Sequence, residues 1–154
     1  MLTPKEALFW SIALPGFGQL LNGKLIKGIV FIALEFLVNV QANFNEIIKL
    51  SFQGEIETAI LHADYQWLMF YPCLYFFAMW DAYRDAGGGK DQFYFLPFVF
   101  SAYFVTVGLM YAEKIKIFGV LLGPVWLPML SVIPGLAVGF LLRMIFIKRK
   151  RLEY

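Results

Sequence analysis

The chain has 154 residues, of which 60% are hydrophobic and 16% are charged, with a formal net charge of +2. An ordinary soluble domain is about half apolar and about a quarter charged. This chain has a mean hydropathy of +0.68 and too few polar side chains to cover the surface of a soluble protein. The composition excludes an ordinary soluble domain and predicts a protein covered largely by lipid.

The first predicted element is a helix that begins at Pro4. Thr3 can cap this helix, and Glu6 completes a capping box. The apolar run then meets Pro15 and a glycine, and a second short run ends at Asn22. Because proline interrupts helical hydrogen bonding, we expect a kinked or re-entrant segment as readily as a crossing one.

Leu25 to Val40 is the first strong candidate for a membrane span, since it is apolar over nearly the length that a crossing helix needs. Residues 4–41 are therefore expected to form an N-terminal helical hairpin. Residues 42–64 are polar and acidic, with apolar side chains at helical spacing. They predict an external amphipathic helix along the membrane surface, weakened at Gly54.

Three further apolar blocks predict spans at residues 65–80, 93–112 and 127–147. The last block, Ile117 to Ile147, is too long for one straight crossing and contains prolines. We therefore expect an interfacial or re-entrant piece before the final helix. The predicted fold class is all-α: a single polytopic transmembrane bundle of four to five helices.

The basic residues predict the orientation of this bundle. If the first segment is re-entrant, ten of the 13 Lys and Arg residues share one side, which the positive-inside rule makes cytoplasmic. If the first segment crosses, only Lys5 changes side. The tail, residues 148–154, is then cytoplasmic, and residues 42–64 face outside. The expected topology anchors are Lys24, Lys27, Lys148, Arg149, Lys150 and Arg151.

Sequence motifs for catalysis, cofactors and metals are missing. Gly87 to Lys90 lacks the spacing and the Ser or Thr of a phosphate-binding loop. The single histidine, His62, and the single cysteine, Cys73, cannot form a His/Cys metal cluster, and Cys73 is expected to be a small packing residue. We expect a non-enzymatic protein without a cofactor or a nucleic-acid site.

Glu35 is the most informative polar residue, because a carboxylate near the centre of a span is costly and needs a partner or water. It is either a protonatable site in a proton or cation path or a carboxyl that joins helices through Gln19, Asn39 or the backbone near Pro15. Asp81 and Arg84 lie three residues apart at the end of a span, where they can pair with each other and Arg84 can meet lipid phosphate.

Glycines spaced four residues apart predict close contacts between helices. The pairs are Gly119 with Gly123 and Gly135 with Gly139.

The sequence from Leu14 to Lys24, LPGFGQLLNGK, followed by Lys27-Gly28, resembles the turn motif of small bacterial membrane proteins of the TM2-domain type. Trp80-Asp81 is similar to the closing region of that domain. The resemblance covers roughly residues 7–40 and, more loosely, residues 66–86. This chain departs from the pattern by its polar stretch from Gln41 to Asp64. The resemblance implies a bacterial membrane hairpin and carries no defined reaction.

The turn motif has a physical explanation. Gln19 and Asn22 can bond backbone groups that a broken helix leaves unpaired, and Lys24 and Lys27 can hold the turn at anionic headgroups. We therefore expect Pro15 to Lys24 to form a bend packed against the next helix.

We expect a scaffold or accessory subunit of a complex in the bacterial cytoplasmic membrane. Its partners would be the lipid bilayer and either another membrane protein or further copies of the chain. The alternative is a small transporter or channel that uses Glu35.

Overall fold

The computed structural model describes residues 2–90 and 92–152, and most of them are helical. The remaining regular structure is a short antiparallel hairpin in which β1 pairs with β2. In chain order the elements are α1 (Pro4–Ala13), α2 (Phe17–Leu21), α3 (Leu25–Gln41), α4 (Phe44–Phe52), α5 (Ile56–His62), α6 (Tyr65–Leu68), α7 (Tyr71–Asp85), α8 (Leu96–Met110), β1 (Lys116–Ile117), β2 (Val120–Leu121) and α9 (Gly123–Leu152). The all-α prediction is confirmed.

Helices α1 and α2 form a hairpin whose two ends meet. The predicted capping box starts α1: Thr3 N–H donates to Glu6 Oε2 at 2.8 Å, and Glu6 N–H donates to Thr3 Oγ1 at 3.3 Å. Gly16 reverses the chain with a φ of +103°, which other residues rarely adopt. Leu2 N–H donates to Asn22 Oδ1 at 3.2 Å. The hairpin therefore enters and leaves the bundle at the same end.

The predicted amphipathic segment is two short helices, α4 and α5, separated at Gly54 as the sequence indicates. Helix α4 is bent by 64° from α3, after Asn43 in the left-handed conformation. The apolar faces of α4 and α5 bury Ile47 and Ala59 in a core that also contains Val125 of α9. Instead of lying along a surface as one element, the segment covers one end of the bundle.

The predicted span at residues 65–80 corresponds to the short helix α6 and to α7, which ends later in the sequence than predicted. Asp64 caps the short helix α6 by accepting hydrogen bonds from the N–H groups of Gln66 and Trp67. Helix α7 then runs through Asp85, beyond the predicted end of the span at residue 80. Residue 91 lies outside the described residues. The span predicted at residues 93–112 is α8, which is shorter at both ends.

The final helix is longer than predicted. It begins at Gly123 rather than at residue 127 and contains Pro128 and Pro134 in its interior. It continues through Leu152, so the described part of the basic tail is helical, while residues 153 and 154 lie outside the described residues. The interfacial piece expected before this helix is reduced to the β1–β2 hairpin, which the apolar pattern did not predict.

Glycines bring α8 and α9 into close contact. A Cβ atom at Gly139 would lie 2.5 Å from the Cα atom of Pro97, and one at Gly135 would lie 2.7 Å from the Cα atom of Ser101. The close packing predicted for this glycine pair is present. The other pair does not form such a face, because Gly119 lies in the hairpin turn with a φ of +81°.

The helices run lengthwise between the two ends of the bundle. We call the end that holds Leu2, Asn22 and Asp85 the proximal end, and the end that holds Ala42, Asp64 and the β-hairpin the distal end. Helices α3 and α8 run from the proximal to the distal end, and α7 and α9 return. This path places the charged ends of α3, α7 and α9 at the proximal end.

One described helix, α9, is long and apolar enough by itself to cross a membrane. Helices α3 and α4 are long and apolar enough together, if the bent pair forms one span. The described α8 is apolar but shorter. These features support association with a membrane.

Candidate polar junction

Polar side chains from three helices meet on the proximal half of α7. Gln19 comes from α2, Lys27 from α3, and the rest from α7. We call this set the Asp81 network: Gln19, Lys27, Asp81, Arg84 and Asp85. Its members come from the two parts of the sequence on which the family resemblance is based, separated by more than fifty residues.

Asp81 is the centre of the network and is 3% exposed. Its Oδ1 atom accepts from Lys27 Nζ at 2.9 Å and from Arg84 Nη2 at 2.7 Å. Its Oδ2 atom accepts from Gln19 Nε2 at 3.2 Å. The pairing of Asp81 with Arg84 follows the predicted helical spacing. A buried carboxylate held by two cations and an amide has its charge satisfied by three partners.

Asp85 completes the charge balance. It lies 2.6 Å from Lys27 Nζ and 3.5 Å from Arg84 Nη2. Lys27 Nζ therefore contacts both carboxylates, since it lies 2.9 Å from Asp81 Oδ1 as well. Two carboxylates therefore face two cations, and the network is neutral as a whole.

The amides of the turn motif bond to α7 rather than to their own broken helix. Gln19 is fully buried, and its Nε2 atom donates to the Ala78 carbonyl at 2.8 Å. Asn22 Nδ2 donates to the Ala82 carbonyl at 3.5 Å. Gly18 allows this approach, since a Cβ atom there would lie 2.8 Å from Ala82 Cβ and 2.6 Å from the Ala7 carbonyl oxygen. The motif is thus a docking element for α7.

The predicted packing of the bend against α3 is also present. Pro15 is fully buried, and a Cβ atom at Gly16 would lie 2.6 Å from the carbonyl oxygen of Gly28. Lys27, which is expected to meet headgroups, bonds to Asp81 and Asp85 and keeps a side chain that is 42% exposed. Arg84 has the same two partners and lies over the Trp80 ring at 4.3 Å. Lys24 is exposed, as an anchor at a surface would be.

Glu35 lies apart from this network, nearer the distal end. It is 6% exposed, and its Oε1 atom accepts from Tyr71 Oη at 3.1 Å. Its Oε2 atom is buried without a hydrogen-bond partner. Of the expected partners, Gln19 bonds to α7 instead, whereas Asn39 interacts with the Glu35 carboxyl. Neighbouring Tyr75 donates to the Ile12 carbonyl at 2.6 Å, so the two tyrosines join α7 to α3 and to α1.

Sequence reasoning missed Tyr71 because it reads as one of many aromatic residues in an apolar run. Its position inside the predicted span at residues 65–80 gave no sign of the carboxyl that it meets. Cys73 was expected to be a packing residue and is instead exposed on a groove between α7 and α8. The remaining predicted anchors, Lys148 to Arg151, extend along the end of α9.

The junction offers little chemistry beyond binding. Within residues 2–90 and 92–152, no group of three or more His, Cys, Asp and Glu side chains is arranged to hold a metal ion. The carboxylates and cations of the Asp81 network are engaged with one another at 2.6–3.5 Å. The arrangement fixes α2, α3 and α7 relative to one another.

Comparisons with protein-family models, curated proteins and solved structures find no match to this chain. Its function is therefore inferred from its own geometry.

Proposed function

We propose that the chain is a multi-pass helical membrane protein in which α3, α7, α8 and α9 cross the bilayer and the α1–α2 hairpin is re-entrant. The support is the distribution of apolar side chains. Large hydrophobic residues remain exposed along α3 and α9, including Ile26 at 81% and Ile133 at 66%. Soluble monomers rarely expose apolar surface on this scale. The two ends of the hairpin meet at Leu2 and Asn22, as a segment that enters and leaves on one side requires.

The proposed orientation has the proximal end in the cytoplasm. Of the 13 basic residues, the proximal end carries Lys5, Lys24, Lys27, Arg84, Lys90, Arg143 and the four cations of residues 148–151. Lys49, Lys114 and Lys116 belong to the distal end. This asymmetry supports a cytoplasmic proximal end by the positive-inside rule.

We further propose kinship with TM2-domain-type proteins and a bacterial cytoplasmic membrane as the location. Both rest on the turn motif. What supports the kinship is that the motif docks against the Trp80-Asp81 region, the second part of the resemblance, through Gln19 and Gly18.

Within this framework the protein acts as a non-enzymatic scaffold or accessory subunit. The observation that carries this proposal is that its charged and amide side chains at membrane depth are engaged internally. Asp81 and Lys27 hold each other, Gln19 bonds to α7, and Glu35 packs against Tyr71. Glu35 lines none of the cavities of about 720, 420 and 390 Å³. A transport path needs polar groups that face water, whereas a scaffold needs helices held in fixed positions.

The orientation is tested by labelling single cysteines on intact cells with an impermeant maleimide. Lys90 and Gln53 are exposed at the proximal and distal ends, and each is changed to Cys in a Cys73→Ser background. Where an outer membrane is present, it is first permeabilised. We expect Gln53→Cys to be labelled on intact cells and Lys90→Cys only after lysis. The opposite result reverses the orientation, and labelling of both on intact cells contradicts a spanning protein.

The choice between scaffold and transporter is tested with Glu35→Gln and the matched variant Tyr71→Phe. A scaffold purified in mild detergent should bring a stoichiometric partner or form a defined oligomer, and both variants should keep it. Proteoliposomes with a pH-sensitive dye should show no proton or cation flux above protein-free vesicles. Flux that Glu35→Gln abolishes would establish the transporter alternative.

A further inference from the structure

A cavity of about 420 Å³ opens between α1, α7, α8 and α9 in the proximal half of the bundle. It falls within the usual range of small-molecule pockets, about 300–1,000 Å³. Most of its wall is apolar and comes from the four surrounding helices. The apolar lining includes Leu8, Ile12, Phe76, Met79, Pro97 and Leu136.

The polar groups of this cavity include Arg143 and two tyrosines, which lie towards its proximal end. Arg143 follows Leu136 by two turns of α9, so its Cα atom lies about 10 Å closer to the proximal end than that of Leu136. Tyr83 and Tyr94 lie beside it, with ring centroids 6.1 Å apart. Gly89 has a φ of +71° and no side chain, so the Tyr94 ring can lie where a Cβ atom would otherwise be. The cavity thus has an aromatic and cationic mouth and an apolar interior.

We propose that this cavity binds one acyl chain of an anionic phospholipid from the cytoplasmic leaflet, with the lipid phosphate at Arg143. The proposal rests on the proposed membrane orientation. Basic pockets between transmembrane helices on the cytoplasmic side recognise anionic lipid headgroups, and tyrosines favour the same depth. A guanidinium has five N–H donors, so Arg143 can bind phosphate in addition to its contacts within the chain.

The other large groove serves as an internal comparison. It measures about 720 Å³ and lies between α7 and α8, with residues such as Phe77 and Val99 in its wall. Among the described residues its lining contains no charged side chain, although Arg84 lies over the ring of Trp80, which lines the groove. Arg84 is paired with Asp81 and Asp85, so we assign selectivity for anionic lipid to the Arg143 cavity.

The test measures lipid binding to the purified full chain by native mass spectrometry and by thermal stability in detergent. The probes are phosphatidylglycerol and phosphatidylcholine with identical acyl chains. We expect the parent to retain phosphatidylglycerol preferentially and to gain thermal stability from it. Equal retention of the two lipids would overturn the proposal, and this result is independent of the cysteine labelling that tests orientation.

Variants locate the site. Arg143→Gln should reduce the preference for phosphatidylglycerol about fivefold, the effect of roughly one cation near anionic lipid. Arg143→Lys should restore much of it, and Lys148→Gln, an exposed cation on the same helix, should leave it unchanged. Equal losses in Arg143→Gln and Lys148→Gln would mean general electrostatic attraction and would overturn the site.

The apolar part is tested by filling the cavity. Leu8→Trp should lower retention of both lipids, whereas Phe9→Trp, a neighbour that is 68% exposed and does not line the cavity, should not. Retention unchanged by Leu8→Trp in a folded, monodisperse protein would contradict insertion of the acyl chain.

Discussion

The bundle has two halves, the α8–α9 pair and the group formed by α1, α2, α3 and α7. The helices within each half are held by a different kind of contact. The α8–α9 pair approaches closely through Gly135 and Gly139, whose missing side chains let backbones touch. The α1–α2 hairpin, α3 and α7 are joined by Gln19, Lys27 and Asp81 through hydrogen bonds and ion pairs. Lipid provides no hydrophobic drive for helix association, so both close packing and polar contacts are needed.

Because the contacts differ, the stability of the two halves should be sensitive to different substitutions. Added volume should harm the α8–α9 contact most, because a backbone cannot move aside. Loss of a polar group should harm only the half that contains Asp81. Thermal stability in detergent, measured on single variants, separates these responses.

The largest effect is expected for Gly139→Leu. A Cβ atom there would lie 2.5 Å from Pro97 Cα and 2.8 Å from the Leu96 carbonyl oxygen, and both are backbone atoms. We expect a loss of about 3 kcal/mol, the top of the usual range for overpacking. Ala137→Leu, at an exposed position of α9, should melt with the parent. If both variants melt alike, glycine packing does not hold α8 to α9.

Gly18→Leu should follow, with a loss of about 1–3 kcal/mol. The new side chain would meet the Ala7 carbonyl oxygen, Ser11 and the Ala82 methyl group, of which Ser11 can partly adjust. Leu21→Met, at an exposed position of α2, is the control. Parental stability of Gly18→Leu would contradict a packed bend.

Asp81→Asn should cost about 1–2 kcal/mol. Hydrogen bonds to charged groups contribute about 1.5–3 kcal/mol, and this value is reduced because Lys27 and Arg84 are each about 40% exposed to solvent screening. Glu57→Gln, which alters an exposed carboxylate, is the control. Combining Asp81→Asn with Lys27→Gln should be less than additive, since the two residues share an ion pair. Strict additivity would argue against the network.

Gln19→Leu should have the smallest effect, about 1 kcal/mol, since a side-chain hydrogen bond in a membrane protein contributes about 0.6 kcal/mol on average and two are lost. It removes the bonds from Gln19 Nε2 to the Ala78 carbonyl and to Asp81 while keeping an apolar side chain of similar size. Gln41→Leu, at the exposed end of α3, is the matched control. A loss larger than that of Gly18→Leu would reverse the proposed order of packing and hydrogen bonding in this half.

Much of the helix pattern could be predicted from residues that act locally. Thr3 and Glu6 start α1 through a capping box, Gly54 separates α4 from α5, and Asp81 meets Arg84 one helical turn away. Boundaries failed where local signals conflicted. The last helix was predicted to start at residue 127, but α9 begins at Gly123, and Pro124 lies in its first turn, where proline is tolerated.

Composition, apolar blocks and local caps determined that this protein is helical and that much of its surface is apolar. These properties depend on residues that are close in sequence. The tertiary structure alone decided that Lys27 pairs with Asp81, and that Glu35 meets Tyr71 rather than Gln19. Each of these pairs joins helices separated by a long stretch of chain. Their contacts depend on how α3 and α7 are rotated and aligned, which periodicity within one helix does not specify.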